Sequence, residues 1–370
     1  MYQENVREAV GGLRPGAPLT EGPLCILPLH GTTKVKARYV LLEQAIERGT
    51  LTITEVSEGG SVPFLHAVNK GPWPVLIFDG EELIGAKQNR IANATILVGV
   101  GKTVLPVSCV EQGRWSQRSR AFSSGTYASH PKLRSEKERQ VREHLFAEAR
   151  RREAGATADV RERAAEALAG QPDDRDAGTI HPAPDLEPQS VRAQRFRSDQ
   201  GAVWNEVERM NYSLGVHSPT SAMADAYQAG KDDLDKTLRK LALAGEGGAA
   251  AGGAAGLGAD TAVGVVVFVG GRFVCLDMLR PAKRFGRLYQ KLLRGYALEA
   301  QLHRAPAAKD FDPEAATLRL LAELLEAGVD DQPGADLGFD LRLETKQVSG
   351  AGLLWDDELI QLSVFPKATV

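Results

Sequence analysis

Residues 73–111, WPVLIFDGEELIGAKQNRIANATILVGVGKTVLPVSCVE, read as short apolar runs broken by turns. The run 73–78 halts at Asp79-Gly80, a dipeptide that tolerates the positive φ of a tight turn. Runs at 91–98 and 104–111 follow, parted by Gly99-Val100-Gly101-Lys102. Short, β-branched and closely spaced, such runs pair antiparallel. Gly99 to Thr103 resembles the end of a phosphate-binding loop, but Ile96 stands where its first glycine belongs. A strand also follows it, whereas phosphate binding needs the N–H groups of a helix start, so a hairpin turn is expected.

The same texture extends upstream. Residues 24–30 form a strand, 39–48 a short helix ending at Gly49, and 51–56 with 62–68 a hairpin about Glu58-Gly59-Gly60. Downstream the character changes. Residues 132–169, rich in Arg, Glu and Ala, predict one or two exposed helices, and the Pro- and Asp-rich stretch 170–189 a linker. A helix is expected at 200–214, where Val203, Trp204, Val207, Met210 and Leu214 share a face. Another should start at Ser218-Pro219 and run to about residue 244, Ser capping it and Pro taking its first position. The Gly/Ala tract 245–258 reads as a loop.

Strands at 263–269 and 272–278 flank Gly270-Gly271, amphipathic helices fall at 285–296 and 312–327, and strands at 338–345, 352–354 and 359–365 end the chain. Strand runs and helix runs are segregated, which predicts an α+β fold: mainly antiparallel sheets with helices segregated to one side, plus a charged helical insertion. Three parts are expected: 1–128, strand-rich and carrying the polar site; 129–198, the insertion and linker; and 199–370, α+β and packed with the first as one unit.

Composition narrows the function. With 370 residues, 43% hydrophobic, the chain can bury a large core, and a net charge of −3 gives no global basic field for nucleic acid or anionic lipid. The N-terminal stretch lacks the apolar core of a signal peptide, and no run is long enough to span a bilayer. Cys25, Cys109 and Cys275 are widely separated, which fits a reducing cytoplasm rather than a disulfide framework. The seven histidines are scattered, so no metal site is read, and no dinucleotide fingerprint or other cofactor motif appears.

The chemistry concentrates between Gly80 and Trp115. Residues 80–90 pack Glu81, Glu82, Lys87, Gln88, Asn89 and Arg90 into one segment. If extended, Glu82, Gln88 and Arg90 share one face, and Glu81, Lys87 and Asn89 the other. A solvated edge guarded by charge is the plain alternative. Gln-Asn-Arg offers a fork of donors for an anionic ligand. In 105–115, Glu111 ends an apolar face, where burial would raise its pKa unless Arg90 or Arg114 paired with it. Trp115 is placed either to stack a base or to plug the core, and Cys109 has no histidine beside it to make it a nucleophile. Asp277, on a face with Phe273 and Cys275, is expected to hold a neighbouring loop.

GEELIGAKQNR at 80–90, PVSCVEQGRW at 106–115, DQGAVWNEVERMNYSLGVHSPTSA at 199–222 and GGRFVCLDML at 270–279 together resemble a bacterial domain of unknown function. That family is named for its association with ADP-ribosylglycohydrolases and rhodanese-phosphatases. The resemblance covers most of the chain, with 132–194 and the Gly/Ala tract as variable insertions. It implies a role around ADP-ribose or NAD-derived nucleotides, as enzyme or as ligand-binding partner, and carries over no mechanism. The matching positions are Glu81, Glu82, Gln88, Asn89, Arg90, Ser108, Glu111, Arg114 and Trp115.

Three functions follow. In the first, the protein binds or processes an ADP-ribose-type nucleotide. Arg90 and Arg114 would hold phosphates, Gln88, Asn89 and Ser108 the polar edges and Trp115 a stacked ring. Glu111 and Glu82 would be the acid–base pair, and as an enzyme it would hydrolyse an N-glycosidic or related bond. In the second, the same residues anchor a partner enzyme. In the third, Arg114, Arg118, Arg120, Lys132 and Arg134, interleaved with Trp115, Phe122 and Tyr127, bind single-stranded nucleic acid.

Overall fold

The computed structural model describes residues 2–32, 34–57, 59–168, 189–242, 261–303 and 310–367, with only the backbone of 152–168 and 189. The linker expected at 170–189 and the tract at 245–258 lie outside the described residues, save Gln189. The fold is α+β, and its described strands pair antiparallel except Val40–Leu41, which runs parallel to Val75–Ile77.

The alternating valines of Ala262–Val269 explain the central layer. Val265, Val267 and Val269 enter one core and Val263 and Val266 another, so both faces of this strand are buried. It lies between Leu24–His30 and Arg272–Leu279 in a nine-stranded sheet. The amphipathic helix Ala282–Leu302 packs Phe285, Leu288, Tyr289, Leu292 and Tyr296 on one face. Gln3–Gly11 and Pro313–Leu325 cover the other, the latter capped by Asp312. One edge of this sheet is formed by Arg14–Pro15 and Leu19–Glu21, both on Leu24–His30, and the other by Gly328–Pro333, which carries Asp330 and Asp331. The helix Gln3–Gly11 and the strand Gly328–Pro333 were not legible in the sequence, the first for its short stripe and the second for its polarity.

The strand-rich N-terminal half forms a six-stranded sheet, ordered Phe122–Ala128, Glu81–Gly85, Arg90–Ala92, Gly101–Cys109, Phe64–Asn69 and Leu51–Glu55. Leu51–Glu55 and Phe64–Asn69 pair antiparallel, as the expected hairpin requires, though its Glu58 lies outside the described residues. The turn at 99–101 is not a hairpin: Ile96–Val98 pairs with Val75–Ile77, while Gly101–Cys109 joins the six-stranded sheet. The helix expected from Ser218-Pro219 starts later, as Met223–Ala229 and Lys231–Leu241. Ser218 instead spends its hydroxyl on the Ala222 N–H and on Asp225.

One long helix, Pro131–Leu168, joins the halves through charge. Arg134 and Lys137 on its first turns are buried with Asp79 and Asp277. Lys137 Nζ donates to Asp79 Oδ1 at 2.7 Å and Arg134 Nε to Asp79 Oδ2 at 3.2 Å. Asp277 is therefore a partner of this helix rather than of a loop. The first turns of the insertion are thus core, because unpaired charges could not be buried there without these partners. No described helix is long and apolar enough to cross a membrane.

Candidate functional site

The residues 80–90 do not extend as one strand. Glu81–Gly85 and Arg90–Ala92 pair antiparallel, with Glu82 opposite Ile91 and Leu83 opposite Arg90, so the chain reverses at 86–89. Gly85 takes φ 135° and Ala86 φ 41°. A Cβ on Gly85 would fall 2.4 Å from the Ser119 hydroxyl, so a glycine is needed, and the left-handed Ala86 stores strain. The reversal brings Glu82, Gln88, Asn89 and Arg90 together instead of dividing them between faces. All four are buried, as is Glu81, which excludes a solvated edge.

Asn89 is the hub. Its Nδ2 donates to Glu82 Oε1 at 3.3 Å, its Oδ1 accepts from Arg114 Nη2 at 3.1 Å, and its backbone N–H donates to Glu111 Oε2 at 3.2 Å. Arg114 Nη2 lies 2.6 Å from Glu111 Oε2, and its Nη1 donates to the carbonyls of Ala86 and Ser116. Gln88 Oε1 accepts from Arg90 Nη1 at 2.7 Å, and Gln88 Nε2 donates to the Glu111 carbonyl at 3.1 Å. Glu82, Gln88, Asn89, Arg90, Glu111 and Arg114 therefore form one hydrogen-bonded group.

Ser108 points to the opposite face of its strand, where its hydroxyl meets Asn93 at 2.7 Å and Ser198 at 2.5 Å. Glu81 leaves the group too, bound by Lys291 at 2.9 Å. Trp115 is 50% exposed, so it does not plug the core. Its ring lies 5.9 Å from the Arg90 guanidinium and 5.3 Å from the Lys87 ammonium.

The two arginines differ. Arg114 is engaged with the turn carbonyls and Glu111 and acts as a clamp on the hairpin. Arg90 is wholly buried, yet its Nε and Nη2 make no hydrogen bond; the guanidinium faces the Cys109 sulfur and, at 4.0 Å, Glu55. Register sets this neighbour, since Cys109 sits directly across the ladder from Arg90. Gln200 pins the Cys109 backbone by its N–H and carbonyl, both at 2.8 Å.

The carboxyls diverge in acidity. Burial pushes Glu82 up to about 8, against the donors of Tyr127 and Asn89 and with the help of the Glu111 charge. Burial pushes Glu111 the same way, but the Arg114 guanidinium and the Asn89 N–H outweigh it and hold Glu111 below its ordinary value. The carboxyl raised by its surroundings is thus Glu82, while Glu111 on its apolar face has the Arg114 partner that was expected to hold it down. A neutral acid and an ionised carboxylate then flank one amide, the pattern of an acid–base pair.

A second loop closes the group. Glu111 bridges Ala222, the Gly113 N–H donates to the Thr220 carbonyl at 2.8 Å, and the Thr220 hydroxyl approaches Glu111 Oε1 at 3.4 Å. Ser221 there has φ 49°, a second strained non-glycine beside the site. Glu55 and Thr220 went unread, and Tyr127 was read only as part of the basic stretch, because each lies far from the dense segment in sequence and only the tertiary fold brings it near. The basic stretch 114–134 does not form one surface, since Arg114, Arg134, Phe122 and Tyr127 are buried. Among the described residues no three His, Cys, Asp or Glu side chains gather as a metal site.

An antiparallel α+β scaffold with a buried polar hairpin at its centre defines the class. Within it the chain belongs to the family of the ARG and Rhodanese-Phosphatase-superfamily-associated Protein domain, whose model matches residues 12–365. No curated protein and no solved structure matches the chain.

Proposed function

We propose that this protein binds an ADP-ribose- or NAD-type nucleotide at the face made by Gln88, Arg90 and Trp115. The observation that carries the reading is Arg90, a buried guanidinium with two unbonded N–H-bearing nitrogens beneath a half-exposed indole. A buried cation whose nearest carboxylate, Glu55, stands 4.0 Å away is weakly compensated, and an anionic ligand would complete it. Trp115 supplies the ring that a base stacks on, and it must swing aside for phosphate to reach Arg90. Arg114 is committed to the hairpin, which leaves Arg90 as the phosphate-gripping arginine. The family's association with ADP-ribosylglycohydrolases supports this class of ligand.

Hydrolysis at the same site is a second reading, supported by the opposed acidities of Glu82 and Glu111. Isothermal titration with ADP-ribose and with NAD tests the binding. Heat is expected with at least one of them, and Arg90→Lys weakens it at least tenfold, because a lysine cannot offer the planar fork. Folded protein giving no heat with either nucleotide overturns the reading. Release of nicotinamide or free base, lost in Glu111→Gln, tests hydrolysis separately.

A further inference from the structure

At the end of the molecule formed by the turns 48–50, 70–74 and 99–101, strand register builds a row of exposed side chains. Asn69 Nδ2 donates to the Trp73 carbonyl at 2.9 Å and to the Val98 carbonyl at 3.4 Å, so the turns that carry Trp73 and Val100 meet at this end. Val40 pairs in parallel with Val75, which brings Arg38 beside Trp73, its guanidinium 5.5 Å from the ring. Asn69 pairs with both Gly101 and Leu51, which sets Lys70 next to Val100 and to the turn carrying Arg48. Lys102 follows on the same strand.

This row is unusual in two respects. Trp73 is 41% and Val100 67% exposed, and both stand on turn tips, Trp73 between Pro72 and Pro74. Arg38, Arg48, Lys70 and Lys102 are all exposed, and none is in an ion pair among the described residues. Of the acids nearby, Glu47 is exposed beside Arg48, and Asp336 is buried in bonds to the Gly99 N–H and the Thr103 hydroxyl. Whole-chain charge hides this local excess, yet at physiological salt the screening length is about 8 Å, so a surface meets the nearby charges only.

We propose that this end docks on an anionic lipid bilayer, with Trp73 and Val100 entering the interfacial layer and the four cations meeting the headgroups. Tryptophan settles at the headgroup level, and basic residues beside an apolar tip add attraction to anionic lipid. A single-stranded nucleic acid would be gripped by stacked aromatic rings, and Val100 offers none. An acidic protein surface would match the charges but gives an exposed valine nothing to enter. The mode is peripheral and independent of the nucleotide site, which lies around Trp115.

Co-sedimentation of the full chain with vesicles of phosphatidylglycerol and phosphatidylcholine, against phosphatidylcholine alone, tests it. Binding to the anionic vesicles alone is expected, released at about 1 M salt, where the screening length is about 3 Å. Val100→Asp and, separately, the pair Lys70→Glu with Lys102→Glu should each weaken binding roughly tenfold or more. Both alter exposed positions, and an unchanged melting curve checks that each variant folds. Equal binding to neutral vesicles, no binding to either, or binding untouched by both variants overturns the proposal. So does preferential capture of a single-stranded oligonucleotide lost in the same variants.

Discussion

Arg134 and Asp277 meet through two parallel hydrogen bonds, Nη1 to Oδ2 at 2.8 Å and Nη2 to Oδ1 at 2.7 Å, with neither side chain exposed. Tyr296 and Ser363 donate to the same carboxylate at 2.6 and 2.7 Å, and the guanidinium lies 4.9 Å from the Phe78 ring and 5.2 Å from the Phe365 ring. Asp277→Ala leaves a buried cation without its bidentate partner, and a loss of about 3–5 kcal/mol is expected in urea unfolding. Pairing Arg134→Met with Asp277→Leu should recover part of that loss, since the buried charges left are then Asp79 and Lys137, which still pair with each other.

Glu82 sets a pH dependence of one sign. Folded, it keeps its proton up to about pH 8, whereas the ordinary value is 4.5. Its contribution to stability is therefore fully present below the ordinary value and is lost as pH rises through the folded one. Glu82→Gln removes this slope, so the variant should match the native protein at pH 5 and exceed it at pH 9. Thermal melts at the two values check it; a gap that opens at pH 5 instead contradicts the assignment.

Glu111 sets the opposite slope. The Arg114 guanidinium, acting against burial, depresses its pKa, so its contribution is present above the ordinary carboxylate value and lost as pH falls through the folded one. Glu111→Gln should cost about 3 kcal/mol at neutral pH, as a broken buried pair does. In urea unfolding the gap to the native protein should narrow steadily as the pH is taken below 4.5.

Gly113 lets the two site loops touch. A Cβ there would sit 2.9 Å from Thr220 Cα, a backbone atom that cannot step aside cheaply. Gly113→Ala should cost about 1–3 kcal/mol by overpacking. Hydrogen exchange is expected to accelerate at the backbone of 218–223, where Met223 N–H otherwise bonds to the Val110 carbonyl.

Much of this architecture was legible because local signals agreed with tertiary ones. The apolar runs at 24–30 and 263–269, the Gly270-Gly271 turn and the apolar stripe from Phe285 to Tyr296 all specify their elements without help from distant residues. The site was legible only as a place. Polar density at 80–90 located it, but an extended reading misassigned its faces, because nothing local announces that Ala86 will take a left-handed turn. The acidities of Glu82 and Glu111 depend on Asn89, Arg114 and Tyr127, whose approach is a property of sheet order. Ser218-Pro219 misled for a related reason: its cap chemistry is real but serves a turn four residues ahead of the helix.

The borders of the nine-stranded sheet have a consequence for the protein among its own copies. Arg14–Pro15 is two residues long and ends in a proline, Leu19–Glu21 on the same border is three residues long, and Gly328–Pro333 presents Asp330 and Asp331 before its own proline. A proline lacks the donor that a recruited strand requires, and like charges on identical borders repel. Both features disfavour pairing of one copy's border with another's. Exchanging Asp330 and Asp331 for valines should turn that border into a template, visible as fibril growth in light scattering.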